Sequence, residues 1–436
     1  MTDVSHADTG RATYHGYGPR PDGRFSLRGG IMDAAALPPG RAALLPPVLQ
    51  HAPEPFRGVT IDGTPIPNLF RARDTGWDPL PAVRYARAFL DELTPDAATR
   101  AAFPIDAPEW RMWTNAFPTW KPHGVSLEEL DGEGRRRALS IVEACSSASG
   151  FAEIQDAMNL NAALGELIGQ YTDTLTNLCY RLAIFGTPSV TEPWGWQLWG
   201  HHLDLHCFIL GRQLVLTPAF LGAEPCVADR GTYAGTRLFD QQRDRALDLR
   251  RSLRASQSSA AVLHPSMRTE DLPSEFNHPV DGRHLAGAGR DNRTIPYAGI
   301  RATVLDSVQR ELLLHLIEAY ASRAPHTPAE LLMQQSEEYL HDTHFAWVGG
   351  NGDEDAFYYR VHSPVLLIEY DCHVGVFLDN DEPEPFHVHT IVRTPNGGDY
   401  GKALLAEHLR LHHHTDLAGR AAPTVRGSLS HPNSND

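Results

Sequence analysis

Two hydrophobic periods divide this chain, and the switches between them predict its elements. In "PAVRYARAFLDELTPDAATRAAF", Val83, Ala86, Phe89, Leu90 and Leu93 share one helical face. "SLEELDGEGRRRALSIVEACSSASGFAEIQDAMNLNAALGELIG" reads as two or three further helices, with Ser126 and Glu129 spaced for a capping box. Near Phe185 the pattern turns to alternation. "FGTPSVTEPWGWQLWGHHLDLHCFILGRQLVLTPAFLG" predicts a hairpin from His201–Leu210 through Gly211-Arg212 to Gln213–Thr217. Helical periods return at about 236–256, 298–322 and 328–342, around a polar stretch at 257–297 broken by Pro and Gly, a candidate long functional loop. "AFYYRVHSPVLLIEYDCHVGVF" predicts two strands split at Ser363-Pro364, "EPFHVHTIVRTP" a third, and "DYGKALLAEHLRLHHH" a C-terminal helix. This order favours an α+β fold, a mainly antiparallel sheet with covering helices and an N-terminal helical layer.

Residues 1–75, rich in Pro, Gly and Arg, show neither period and predict an extended arm. Residues 76–417 are expected to form a single domain, and 418–436, rich in Ser, Pro and Asn, a disordered tail. The net charge of -16 argues against general binding to nucleic acid and to acidic membrane surfaces. Five dispersed cysteines without a CxxC pair argue against a disulfide framework and an all-cysteine zinc site. The absence of an apolar leader and of any long apolar window sets a cytoplasmic expectation.

Histidine changes the picture, with 23 against 38 lysines and arginines. Strand parity sorts those with a chance of chemistry. In "GHHLDLH", Leu203 and Leu205 mark the core face, which His201 begins, while His202, Asp204 and His206 share the other. Either or both of His201 and His202 can point into a pocket at the strand's start. The alternative is a water-facing stripe. In "FHVHTIVR", His387 and His389 share a face and offer two nitrogens to one ion. Glu369, after an apolar run, is costly to bury unless paired or ligating.

Two or three histidines and a carboxylate make up catalytic zinc and non-heme iron sites. Arg393 is a candidate anchor for an acidic substrate group, and Asp399 a candidate partner that orients an imidazole. Trp194, Trp196, Trp199, Trp347 and Tyr359 offer the wall of an apolar pocket. His412-His413-His414, at the end of the last helix, reads as an exposed surface run. No GxSxG, Walker A or HExxH motif is present.

"WGWQLWGHHLDLH", "TPAFLGAEP", "FAWVGG", "YYRVHSPVLLIEYD" and "HVHTIVRTPNGGDYG…LLAEH" together resemble the DUF3500 family, over roughly 80–425. The resemblance implies that the GHH pair, the HxH and Glu369 are characteristic. It also implies that the position of His206 is often another residue, which favours His201 and His202. It brings no established reaction.

The expected function is a metal-dependent hydrolase of a small ester, amide or lactone. His201, His202, His387 and His389 are the candidate ligands and Glu369 a ligand or general base. Zinc comes first, with iron, copper or manganese open. The alternatives are a non-heme iron or copper oxidoreductase and a metal-free binding protein with a structural histidine network.

Overall fold

The structure is a computed structural model that describes residues 13–20, 54–115, 123–277 and 282–412. Among them, thirteen strands form one mainly antiparallel sheet. They are β1 Ala102–Phe103, β2 Val125–Ser126, β3 Tyr180–Gly186, β4 Trp194–Gly200, β5 Leu203–Leu210, β6 Gln213–Val215 and β7 Ala219–Ala223. The remainder are β8 Val262–His264, β9 Ile300–Arg301, β10 His344–Gly349, β11 Phe357–His362, β12 Leu367–His373 and β13 Glu384–Arg393. The order is β1-β3-β4-β5-β7-β13-β12-β11-β10-β8, with β7 and β13 joining the earlier strands to the later ones. Only β1 with β3 and β8 with β10 pair in parallel.

The first helical layer consists of Leu80–Asp91, Pro95–Ala101, Gly132–Ala144 and Ala148–Ile168. Their ends carry the signals expected of them. Asp131 and Ser147 accept from the backbone N–H groups of Gly134 and Gly150, and Gly169 closes the last helix in a left-handed conformation. Ser126 and Glu129 form the expected capping box, but it opens a short 3₁₀ turn. Asp240–Ser252, Ala255–Ala261, Ser307–Ala321 and His326–Glu338 add the later helices. Among the described residues, no helix is long and apolar enough to cross a membrane.

Helices and sheet share one large apolar core on a single sheet face. Leu203, Leu205, Cys207, Ile368, Tyr370, Val388 and Val392 all enter it. Trp194, Trp196, Trp347 and Tyr359 lie in the same core, none exposed at all. Trp196 donates to Cys145 Sγ, Trp347 to Gly349 O and Gly350 O, and Tyr359 to Gln242 O. These four aromatic side chains therefore fill the interior instead of lining a substrate pocket. Trp199 sits on the opposite face, packed with Trp113, Phe220, Ala288 and Ile391.

That opposite face is where the sequence reading needs correction. A water-facing stripe was one of the two readings of this face, yet Asp204 and His206 are fully buried. The polar 257–297 stretch supplies the cover. It carries β8 and two short 3₁₀ turns, and its residues from 282 onward lie across the sheet. Glu369 accepts from Leu285 N and Ala286 N, both at 2.8 Å, and from Tyr358 Oη at 2.6 Å. The carboxylate is therefore used in holding the cover down.

Arg393 completes the attachment. Its guanidinium donates to Ala286 O, Gly287 O, Asp291 Oδ1 at 2.8 Å and Asp399 Oδ2 at 3.0 Å. Asp291 also receives Arg111 at 2.8 Å and Tyr400 Oη at 3.0 Å. Arg393 and Asp399 thus form an internal clamp. Neither is placed as expected, as a free substrate anchor or as an imidazole partner.

Parts of the N-terminal segment also join the body. Tyr14 packs with Phe377 and Leu378, while Val59 packs with Leu285, Ile295 and Leu367. The 418–436 tail, His413 and His414 lie outside the described residues; His412 is exposed.

Because Asp291 keeps Arg111, loss of Arg393 strands Asp399 as an unpaired buried carboxylate. Arg393→Met is expected to lower the unfolding free energy by about 3–5 kcal/mol. A urea denaturation series with a loss below about 1 kcal/mol contradicts the clamp.

Candidate metal centre

Three histidines from two distant parts of the chain meet on the covered face. β4 and β5 are joined by a two-residue hairpin, with Gly200 paired to Leu203 and His201-His202 at its tip. His202 takes a φ of 63°, a left-handed conformation uncommon for a residue with a side chain. The strand therefore starts irregularly, and parity counted from Leu203 does not reach the two histidines. His387 and His389 come from regular alternation in β13 and share a face, as the HxH spacing requires.

Gly222 in β7 makes the meeting possible. It pairs with His389, and its N–H donates to His202 O at 2.8 Å. A Cβ here would lie 2.7 Å from His389 Cδ2 and 3.1 Å from His202 Cδ2. Only a residue without a side chain lets both rings cross this strand.

His389 Nε2 lies 3.1 Å from His202 Nε2 and 3.2 Å from His387 Nε2. All three ligand nitrogens fall within 4.8 Å of one another. Burial first, then the neighbouring imidazoles, hold all three histidines far below their usual protonation range. They are neutral, the form that ligates metal. Val374 O, 2.8 Å from His387 Nδ1, accepts its proton and leaves Nε2 with a lone pair.

Hydrogen bonding cannot satisfy this trio. A neutral His389 Nε2 either donates once or accepts, so only one of its two short contacts can be a sound hydrogen bond. A cation at the centre takes all three lone pairs. Zn–N bonds of about 2.0–2.1 Å at tetrahedral angles place nitrogens about 3.3 Å apart, and facial octahedral geometry places them about 3.0 Å apart. The two short separations fall between these values and the third lies within 4.8 Å, so the three histidines could hold a metal ion.

His201 does not join. Its Nδ1 lies 2.7 Å from Asn161 Oδ1, and its ring stacks on His202 with centroids 3.8 Å apart. It backs the ligand ring. Burial pushes its protonation down to about 3. His206 is also apart: Nδ1 donates to Pro218 O at 2.8 Å, and Gln197 Nε2 lies 2.8 Å from its other nitrogen. Glu369, Arg393 and Asp399 are held in the attachment of the cover, and none belongs to the trio. Of the expected aromatic wall, only Trp199 is on this face. Phe220 is the apolar ring beside His389, with centroids 5.2 Å apart.

Sequence reasoning overlooked four residues around the trio. His373 places its ring 3.9 Å from that of His389, centroid to centroid, and its Nε2 2.9 Å from Asp371 Oδ2. Asp371 also accepts from Arg283 N at 2.9 Å. Burial tends to raise the Asp371 carboxyl, but His373 and the cations around it hold it low. Parity extended two residues past Glu369 and two more would have put both on the HxH face. Glu224 accepts from the backbone N–H groups of Val376, Phe377 and Leu378, with its Oε2 3.9 Å from His387 Nδ1. It orders the turn that presents Val374 O. An acid ending the apolar run "AFLGAE" was the available signal. His284, fully buried in the cover, lies 6.4 Å from His389 between centroids and had no periodic context to mark it.

A family model described as "Protein of unknown function (DUF3500)" matches residues 80–402. The chain belongs to the DUF3500 family. No curated protein and no solved structure matches it. The DUF3500 match includes every strand of the sheet, the hairpin of His202 and the HxH of β13. The trio, its glycine and its covering loop are therefore all within the family's extent.

Two outcomes are expected of the DUF3500 centre. Gly222→Ala and His389→Ala should both lose bound divalent metal, while His201→Asn keeps it, as read by elemental analysis of protein purified without chelator. Retention of full metal in His389→Ala rules the trio out as the site.

The second outcome concerns pH in the metal-free protein. Six buried histidines, His201, His202, His206, His362, His387 and His389, are held below their ordinary value by burial, two of them to about 3. The unfolded chain takes up those protons below about pH 6.5, and the folded chain does not. Stability is therefore expected to fall as pH drops below that value. Glu224 and Asp399, raised to about 7 and about 6 by burial, and Asp156, also raised by burial, act with the opposite sign, but they are three groups against six. A urea midpoint at pH 5 equal to or above that at pH 7.5 contradicts this balance.

Proposed function

We propose that His202, His387 and His389 hold a divalent metal and that this DUF3500 protein is a metal-dependent hydrolase of a small ester, amide or lactone. The convergence of three neutral Nε2 atoms, which hydrogen bonds cannot satisfy together, carries the reading. Zinc is the first choice. All ligands are imidazoles, and Cys226 and Cys372 lie on the other sheet face. An iron site of two histidines and a carboxylate is less well served, because the trio contains no carboxylate and Glu369 is committed to Leu285, Ala286 and Tyr358.

A bound zinc would supply Lewis-acid polarisation of the carbonyl and acidify water beside it. The chain's own residues supply the rest. The Asp371 carboxylate lies 2.9 Å from His373 Nε2, and this imidazole, with its ring 3.9 Å from that of His389 between centroids, is the group placed to move a proton. His201 keeps the His202 ring in place by stacking. Val374 O fixes the His387 tautomer. Phe220 and the cover formed by 282–296 keep bulk water from the face.

Metal-loaded protein is expected to hydrolyse members of a panel of aryl esters and lactones. His373→Gln should lower kcat by about 10²–10⁴-fold with metal content unchanged. Stoichiometric iron or copper together with oxygen-dependent turnover, and no hydrolysis, overturns the hydrolase reading.

A further inference from the structure

The covered face carries a second polar cluster, two strands from β13. β11 alternates so that Arg360 and His362 point to this face, with the Tyr358 hydroxyl reaching Glu369, while Phe357, Tyr359 and Val361 enter the main core. Arg360 is only 3% exposed and His362 only 1%. Arg360 Nε and one terminal nitrogen have no hydrogen-bond partner among the described residues, and neither has either ring nitrogen of His362. Among the described residues, no ion pair involves Arg360. A guanidinium so deeply buried is ordinarily paired, because an unpaired buried charge is costly.

The neighbours explain why no internal partner serves it. Glu369 stands opposite Arg360 across β11 and β12. Its oxygens are instead taken by Leu285 N, Ala286 N and Tyr358 Oη. Arg293, the next cation, donates to Leu285 O and is disfavoured as a cation by burial and by Arg290 and Arg360. Tyr297 stacks on His344 at 4.6 Å and meets the edge of His362 at 4.8 Å. Unmatched donors and positive charge therefore meet in one buried place, edged by the half-buried Arg293, Tyr297 and His344.

We propose that Arg360 and His362 form a binding site for the carboxylate of a small organic acid, separate from the metal centre. The planar guanidinium fork matches the two oxygens of a carboxylate, and the imidazole adds one donor. Arg360 and Arg293 bring two positive charges against the one negative charge of Glu369, so a single carboxylate balances the place; a doubly charged phosphate would leave an excess. The site does not share the trio. Arg360 and His389 are two strand spacings of about 4.8 Å and two residue steps of about 3.3 Å apart, on the order of 12 Å between Cα atoms. The inference therefore stands whether or not the histidine trio holds a metal.

The test is thermal unfolding at constant ionic strength, with chloride replaced by acetate or propionate and, in parallel, by inorganic phosphate. Acetate or propionate is expected to raise the Tm of the native protein, saturating by about 100 mM if binding is millimolar. Arg360→Met should abolish the rise. Arg360→Lys, which keeps the charge but not the fork, and His362→Gln should each weaken it by about tenfold; these two carry the test if Arg360→Met does not fold. The rise should persist in His389→Ala, which separates it from carboxylate binding at a metal. No rise with either acid, an equal rise in the Arg360 variants, its loss in His389→Ala, or a rise with phosphate alone overturns the proposal.

Discussion

The structure depends on burying an ionisable sheet face. One side of the sheet meets helices through apolar side chains, which needs no special device. The other carries Asp204, His206, Glu369, Asp371, His387, His389 and Arg393, all nearly or completely buried. Removing such groups from water is costly unless each finds a partner. The segment 282–296 provides partners for three of them: backbone N–H groups for Asp371 and Glu369, and backbone carbonyls and the Asp291 carboxylate for Arg393. A polar loop in the sequence thus becomes the second layer over the sheet.

Once water is excluded, burial sets the chemistry. The histidines remain neutral because the charged form would be stranded. Each Nε2 of a neutral ring either donates once or accepts once, so the two short contacts of His389 Nε2 cannot both be sound hydrogen bonds. The three histidines could therefore hold a cation. The clamp of Arg393 with Asp291 and Asp399 and the carboxylate nest of Glu224 hold the surroundings still while taking no place in the trio.

The sequence was legible where regular periodicity held. Alternation paired His387 with His389 on one face of β13 and set Glu369 opposite the Ile368–Tyr370 face of β12, and the helical periods before residue 170 located the first layer. The tryptophans misled because aromatic residues suit a core as well as a pocket; the side of the sheet decides, and periodicity does not say which side is a site. Arg393 misled for a similar reason. An arginine next to an HxH looks available until the loop carbonyls and two aspartates that occupy it are brought there by the fold.

What the sequence by itself determined is the pairing of His387 with His389, the switch from helical to strand periods, the antiparallel character of the sheet and the membership of DUF3500. Only the tertiary structure chose His202 over His201, because a left-handed residue at a hairpin tip follows no alternation. It also set the register that puts Gly222 opposite His389, and so opened the space in which two rings from residues far apart in the chain approach one point. Local pattern fixes which face a side chain takes on its own strand. Which strands stand next to each other, and what covers them, depends on contacts between distant residues.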